Sequence, residues 1–534
     1  MAIWVRAEVL GLRCQRLYAV SAFCVLGVMI AGIGLSRLVY PFDTGHYEAV
    51  MWGPSLLSIS GHNPYDAAKV TESPYVMAGY GYLYYVAIGC GLKAFGLQFW
   101  FGRGVSLVAS CIVIAYVGKI TFLLTQKSEA AILAVLTALS SFAFQAWIGL
   151  QRSDLPGLAA ALAGLYFAFK WSKETSDRIT APAVFSTLLV ASAFFFKMTI
   201  ALPILIAAAI YFQAGKRKVA LFTLAGALSV VAGGAVLLNS TSGGGYFWQH
   251  FTLMSQNSHT YSRSIRIALD LVKVPATSIA LLIVIASLIF AALRQSSKAA
   301  PRFQAPLMEL CQALKSPRNL VFVHLAVAAT IGFVTSSRNG ASVNYYLEAS
   351  MVGAIAVALA WDRIEKETTR KAIHALGVGL LTMASGFQLA RITHGEYVRW
   401  QSLPYYREMM ATLAEYAPPG ATCFSVYPEL VTGAGCEYDF GDWMQYIDGR
   451  SPELTDLLKS AIGTNRYPAM IWHDEQQRTV FPEYRLVPMK QPPPRGVYPV
   501  YLYVLDERLA REQRLAREQR QGIEREPAVV QELR

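Results

Sequence analysis

The chain has 534 residues, of which 54% are hydrophobic and only 15% charged, with a mean hydropathy of +0.36. That composition excludes a soluble globular domain, and the apolar residues fall in about eleven separated runs of helix-spanning type, so the class is an all-α polytopic membrane bundle. The net charge of +12 does not point to nucleic acid, because the basic residues sit in short connecting loops, where they set membrane orientation.

The first apolar run, 17–38, follows Arg6, Arg13 and Arg16 and begins like a signal sequence. It is too long for one, and Arg37-Leu38-Val39-Tyr40-Pro41 offers no small-residue cleavage pattern, so the run reads as an uncleaved anchor. Basic clusters place five regions in the cytoplasm: the N-terminus, Lys170 to Arg178, Lys216-Arg217-Lys218, Arg294 to Arg318 and Arg363 to Lys371. Eleven crossings connect them with correct parity: 17–38, 104–124, 130–149, 156–171, 181–196, 199–213, 219–238, 268–292, 319–335, 345–361 and 373–391.

Parity holds only if Tyr80 to Phe95 does not cross. This run reads as an interfacial helix within a long first external loop, 39–103, its tyrosines Tyr75, Tyr80, Tyr82, Tyr84 and Tyr85 forming a belt at headgroup level. The runs 156–171, 181–196 and 199–213 are short for a bilayer, as helices bordering a water-filled cavity often are.

The transmembrane part thus covers 1–391. After it, 392–505 contains turn signals (Pro418-Pro419-Gly420, Gly433, Gly435, Pro492-Pro493-Pro494) between short β-rich runs, the pattern of a small external α/β domain. Residues 506–534, with the repeat RLAREQRLAREQR, form a charged helical or disordered tail. Of seven cysteines only Cys423 and Cys436 share the external domain, where an oxidising compartment would let them pair across a short hairpin.

Polar residues gathered at one membrane face are the functional signal in such a protein. The first external loop supplies Asp43, His46 and Glu48 in FDTGHYE; the next supplies Gln151-Arg152-Ser153-Asp154. Lys197 ends the fifth run in FFFKMT, where burial requires an anionic partner unless the side chain snorkels to water. Later loops add SGGGYFWQHF with Arg263 and Arg266, and SSRNGASVNYYLE with Arg338, Asn344 and Glu348. Asp43 equally suits a helix cap, and Arg152 with Asp154 an interfacial ion pair; the triple glycine at 243–245 lacks the GK[ST] of a phosphate loop. His46, His250 and His259 read as hydrogen-bonding groups before metal ligands. External carboxylates near external Arg and Lys describe glycosyl transfer from a lipid-phosphate donor: cations balance the phosphate, while a carboxylate, or a metal it holds, activates the acceptor.

The string FDTGHYE, the Pro-Tyr-Asp turn at 64–66, YGYLYY followed by FGR at 101–103, RSD at 152–154, FKMT at 196–199, GGGYFWQH and NGASVNYYLE together resemble the multi-spanning GT-C glycosyltransferases over roughly 17–490. Within that fold the chain is most similar to bacterial relatives of protein mannosyltransferases and aminoarabinose transferases. The resemblance implies an inverting transferase in the bacterial inner membrane, its active site facing the periplasm. It would take a polyprenyl-phosphate sugar and pass the sugar to a glycan, lipid or protein acceptor, with membrane lipids around it and no nucleic acid.

Carried over by residue, Asp43 is the catalytic base or metal-holding carboxylate and Asp154 an accessory acid. Lys197, Arg338, Arg263 and Arg152 are candidates for the donor phosphate, and His46, Tyr82, Asn344 and Glu348 for sugar or acceptor. The chain departs from the Asp-Glu pair of mannosyltransferases, since Thr44 follows Asp43. The acidic partner is therefore open, with Glu48 the local substitute, and a divalent ion (Mg or Mn) held by Asp43 is the one cofactor left open. A surface-glycan polymerase and a lipid-glycan flippase or transporter are the alternatives, though no internal repeat of a transporter is visible. The topology predicts that an alkaline phosphatase fusion after Arg391 is active and one after Lys218 inactive; the reverse pattern would overturn the loop assignments.

Overall fold

The computed structural model describes residues 2–44, 48–72, 75–253, 259–277, 279–280, 316–338, 342–364, 367–425, 427–439, 460, 462, 467–472, 484–490 and 500–506. The chain divides into two compact units: Met1–Pro41, Ser55–Asn63 and Gly79–Glu396 form the first, and Phe42–Pro54, Pro64–Ala78 and Tyr397–Arg534 the second.

The described residues of the first unit are mainly helical. Among the described residues, six helices are long and apolar enough to cross a membrane: Val20–Val39, Phe99–Thr125, Arg217–Thr241, Pro317–Thr335, Val343–Asp362 and the run within Glu367–Tyr416. The helices Ser128–Leu139, Ala181–Phe196 and Leu202–Gln213 are shorter. Most of the expected crossing at 268–292 lies outside the described residues. What precedes it is the helix Tyr261–Lys273, which carries Arg263, Arg266, Asp270 and Lys273 and is polar rather than membrane-like.

The expected crossing 130–149 is broken in two, Ser128–Leu139 and Phe142–Trp147. A break inside an apolar bundle frees carbonyls that lipid cannot satisfy. Side chains answer them. Gln145 Nε2 donates to Leu139 O at 2.7 Å, and the Arg37 guanidinium donates to Ala146 O at 2.9 Å and Ile148 O at 2.6 Å. Arg37 is itself only 3% exposed and pairs through Nε with Glu396 Oε1 at 2.8 Å. Arg103, fully buried, donates to Arg37 O at 2.8 Å and to Tyr40 O, closing the end of the first helix, Ala2–Val39.

The helix Tyr82–Phe95 has 14 residues, about 21 Å at 1.5 Å per residue, against a hydrocarbon layer of about 30 Å. It is sealed into the first unit by small residues: a Cβ on Gly89 would meet Ser55 O at 2.4 Å, and one on Gly91 the Phe101 ring at 1.9 Å. Tyr84 and Tyr85 are 0% and 1% exposed, so they are core residues rather than members of a headgroup belt.

Among the described residues the second unit holds a five-stranded sheet of order β2-β1-β3-β5-β4, with β1 Thr422–Ser425, β2 Glu437–Tyr438, β3 Ala469–Trp472, β4 Tyr484–Leu486 and β5 Tyr501–Leu505. β1 runs parallel to β2 and β3, while β5 is antiparallel to β3 and β4. The helix Leu403–Tyr416 buries Tyr405, Tyr406, Met409 and Leu413, and Phe424 stacks on Trp472 at 5.3 Å. Two pieces of the first loop join this unit. Tyr75 N donates to Asp439 Oδ1 at 3.2 Å, Tyr467 OH to Asp439 Oδ2 at 2.7 Å, and the Phe42 and Tyr406 rings lie 5.2 Å apart.

Cys423 lies on β1 and Cys436 just before β2; these strands are parallel and joined through the short helix Pro428–Gly433 rather than by the expected hairpin, and the two side chains lie next to each other. Both are free, buried thiols, and Cys423 is pushed up to about 12 by burial and by Cys436 beside it. Arg37→Ala should destabilise the purified protein by about 3–5 kcal/mol, because it strands a buried carboxylate and several carbonyls. Denaturant unfolding in detergent checks this, and a loss no larger than that of an exposed Arg→Ala would remove Arg37 from the framework.

Candidate active site

The second unit gathers three carboxyl groups. Asp43 leaves the first helix in a loop; its Oδ2 accepts the N–H of Glu48 and, at 3.3 Å, that of Ala49, and so caps the turn Ala49–Met51. The sequence left a choice between cap and reactive carboxylate, and the geometry makes the cap the means by which the carboxylate is held. Glu48, 0% exposed, accepts Thr44 N–H at 3.1 Å and Thr44 Oγ1–H at 2.9 Å, so Thr44, the neighbour of Asp43, is bound by Glu48. His46 lies outside the described residues.

The third carboxyl was not foreseen. Glu429 opens the helix Pro428–Gly433, and its Oε1 accepts the N–H of Asp43 at 3.1 Å across 386 residues of chain. No local pattern marks it; only its place after a turn signal in the external domain does. Glu429 is 7% exposed, and its Oε2 is buried with no hydrogen-bond partner among the described residues.

The first unit gathers a second group. Asp154 begins the helix Asp154–Trp171, where the positive end of the helix dipole favours a carboxylate. Its Oδ1 takes a salt bridge from Lys197 Nζ at 2.8 Å and a hydrogen bond from Asn344 Nδ2 at 2.9 Å, and Trp147 Nε1 donates to Oδ2 at 3.3 Å. Lys197 is therefore not snorkelling to water; it has the anionic partner that burial requires. Its ammonium also faces the Tyr80 and Tyr345 rings at 5.2 and 5.5 Å, a cation–π cage. Arg152 lies 5.5 Å from the Tyr80 ring and donates to Tyr80 OH. His250, from the loop after the seventh crossing, is lowered to about 4 by burial, so its imidazole is neutral at physiological pH.

Four expected residues, Asp154, Arg152, Lys197 and Asn344, are thus brought together, with Tyr80 and Tyr345 supplying the aromatic walls. Tyr82, two residues on from Tyr80, is half-buried and makes no hydrogen bond, ion pair or ring contact with a described residue. Arg338 and Arg263 do not contact this group: the backbone of Arg338 bridges His259, and the Arg263 amide donates to Thr260 O at 2.9 Å. Glu348, expected near sugar or acceptor, pairs instead with His324 Nε2 at 2.7 Å. Among the described residues no group of three or more His, Cys, Asp or Glu is placed to hold a metal.

Burial raises the Glu429 carboxyl to about 8 from an ordinary 4.5, with the charge of Asp43 adding to the effect. The fold holds this proton more tightly than the unfolded chain does. Its stabilising contribution is complete below pH 4.5 and is lost as the pH rises through about 8. The thermal midpoint of the second unit should therefore fall over that window, and Glu429→Gln should flatten the slope; an unchanged slope would assign the pH sensitivity to another group.

No protein-family model matches the sequence, and no curated protein matches it. The fold is nevertheless similar to that of ArnT from Cupriavidus metallidurans bound to undecaprenyl phosphate, with a TM-score of 0.59 at 11% identity over 91% of this chain and 97% of that one. A looser likeness, TM-score 0.48 at 10% identity over 84% and 69% of the two chains, is to the archaeal oligosaccharyltransferase AglB of Archaeoglobus fulgidus in complex with an inhibitory peptide and a dolichol-phosphate. The chain is a multi-pass membrane protein with the GT-C fold.

Proposed function

We propose that the protein is an inverting membrane glycosyltransferase that takes a sugar from a polyprenyl-phosphate donor and passes it to a hydroxyl- or amine-bearing acceptor of the bacterial cell envelope, on the periplasmic side of the inner membrane. The observation that carries this reading is the fold, shared over nine-tenths of the chain with a protein solved with undecaprenyl phosphate, together with a buried, amide-held carboxylate directly after the first long helix.

Two chemical tasks are needed. Lys197 and Arg152 offer two cations against the single charge of Asp154, a balance that favours binding an anion. A lipid phosphate would compete with Asp154 for Lys197, and the aromatic walls of Tyr80 and Tyr345 hold the ammonium in place for that exchange. Asp43 takes the other task. Held by two amide N–H groups, it accepts the proton of the acceptor O–H or N–H as the acceptor atom bonds to the anomeric carbon from the face opposite the phosphate. The anomeric C–O bond breaks, and its electron pair leaves on the lipid phosphate, whose charge the cations balance. The activated donor supplies the energy, so no nucleotide takes part.

Purified protein incubated with labelled polyprenyl-phosphate sugars should consume one of them and release the lipid phosphate. Asp43→Asn should abolish transfer without loss of expression, and Lys197→Ala should weaken donor binding roughly ten- to a hundredfold, the worth of a charge-assisted hydrogen bond. Full activity in Asp43→Asn removes that residue from the mechanism, and movement of an intact lipid-linked sugar across the bilayer without cleavage would favour a flippase.

A further inference from the structure

The helices Val20–Val39, Phe99–Thr125 and Ser128–Leu139 leave between them a cavity of about 630 Å³, the size of a ligand site rather than of a packing defect. Its seam carries small residues, Gly27, Ala31, Ala115, Gly118 and Ala131, which in a membrane usually bring helices into close contact. Here they leave room instead: a Cβ on Gly27 would meet nothing within 4 Å. The rim residues Val20 and Phe23 are 48% and 41% exposed, so on these membrane-crossing helices the cavity is a groove open to the hydrocarbon.

An apolar space of this kind holds no water, and leaving it empty forfeits dispersion contacts along its whole wall. A lipid chain restores them. Among the described lining residues Lys119 alone is charged. It is exposed, its ammonium lies 5.3 Å from the Tyr116 ring, and it has no carboxylate partner among the described residues, whereas Lys127, just past the end of the same helix, is paired with Asp362. From Lys119 to Leu107 the groove covers twelve residues of helix, about 18 Å, against about 15 Å for the hydrocarbon of one leaflet. Lys119 stands six residues before the helix end at Thr125, on the side that the basic clusters assign to the cytoplasm. The cations proposed for the donor phosphate are elsewhere: Ser106 Oγ donates to Arg152 O at 3.1 Å, and Lys119 lies thirteen residues, about 20 Å, further along that helix.

We propose that this groove binds one anionic glycerophospholipid of the cytoplasmic leaflet, an acyl chain lying along Gly27, Ala31 and Ala115 and the headgroup phosphate meeting the Lys119 ammonium. The far end of the chain then packs on Phe144 and Ile148, in the segment whose carbonyls Arg37 collects, so the lipid supports the broken helix from its open side. The inference rests on the membrane class and not on the transferase reading.

Lipid titrations of the full-length protein, stripped of lipid in detergent and followed by native mass spectrometry, test this. Phosphatidylglycerol should bind about fivefold more tightly than phosphatidylcholine, the worth of one cation at an anionic headgroup. Lys119→Gln should remove that preference and leave phosphatidylcholine binding unchanged, while Gly27→Leu, whose side chain enters open space, should weaken both. Phosphatidylglycerol should also shield Cys111, an exposed thiol in the groove wall, from an apolar maleimide, while the exposed Cys90, outside the groove, reacts as before. Equal affinity for the two lipids, or a preference that survives Lys119→Gln, overturns the anionic headgroup. Labelling of Cys111 that phosphatidylglycerol leaves unchanged overturns the groove. Displacement of phosphatidylglycerol from Cys111 by an equimolar polyprenyl phosphate overturns the choice of occupant and gives the groove to the donor lipid.

Discussion

A buried guanidinium organises the first unit. Arg37 stands near the end of the first helix, inside an apolar bundle, and one side chain pairs with Glu396 while collecting the carbonyls that the broken helix Phe142–Trp147 leaves exposed. The carbonyl of Arg37 is in turn held by Arg103. Neither the break in the helix nor the buried carboxylate is tolerable alone, since each would leave unsatisfied polar groups in a low-dielectric interior. Together they fix where the first helix stops, at Val39, and Asp43 follows four residues later in the chain.

The same rule, that buried charge is neutralised or protonated, shapes both functional groups. Lys197 is buried because Asp154 and two aromatic faces receive it. Glu429 meets no cation among the described residues, and burial raises its carboxyl instead. His324 and Glu348 pair with each other within the helical bundle.

Much of this was legible along the chain because membranes impose strong local constraints. Apolar runs of fixed length gave the long helices, a lysine in FFFKMT demanded an anion, and Arg152, Asp154 and Asn344 stood in loops that parity assigned to one face. What failed did so for identifiable reasons. Tyr84 and Tyr85 looked like interfacial tyrosines because composition does not reveal that Gly89 and Gly91 let their helix pack closely against Ser55 and Phe101. Cys423 and Cys436 looked like a hairpin pair because their separation suits one, but strand direction is set by the helix between them. Tyr80 rather than Tyr82 meets the cations, a distinction between neighbours that only side-chain direction settles.

By itself, then, the sequence determined the membrane class and the small terminal α/β domain, because hydropathy and turn chemistry are local properties. Only the tertiary structure decided which charges meet. The partner of Lys197 lies 43 residues away and that of Arg37 lies 359 away, while the second carboxyl beside Asp43 comes from 386 residues further on. Pairing at such separations leaves no periodicity or spacing to read; it arises because buried polar groups must find partners, and packing decides which are within reach.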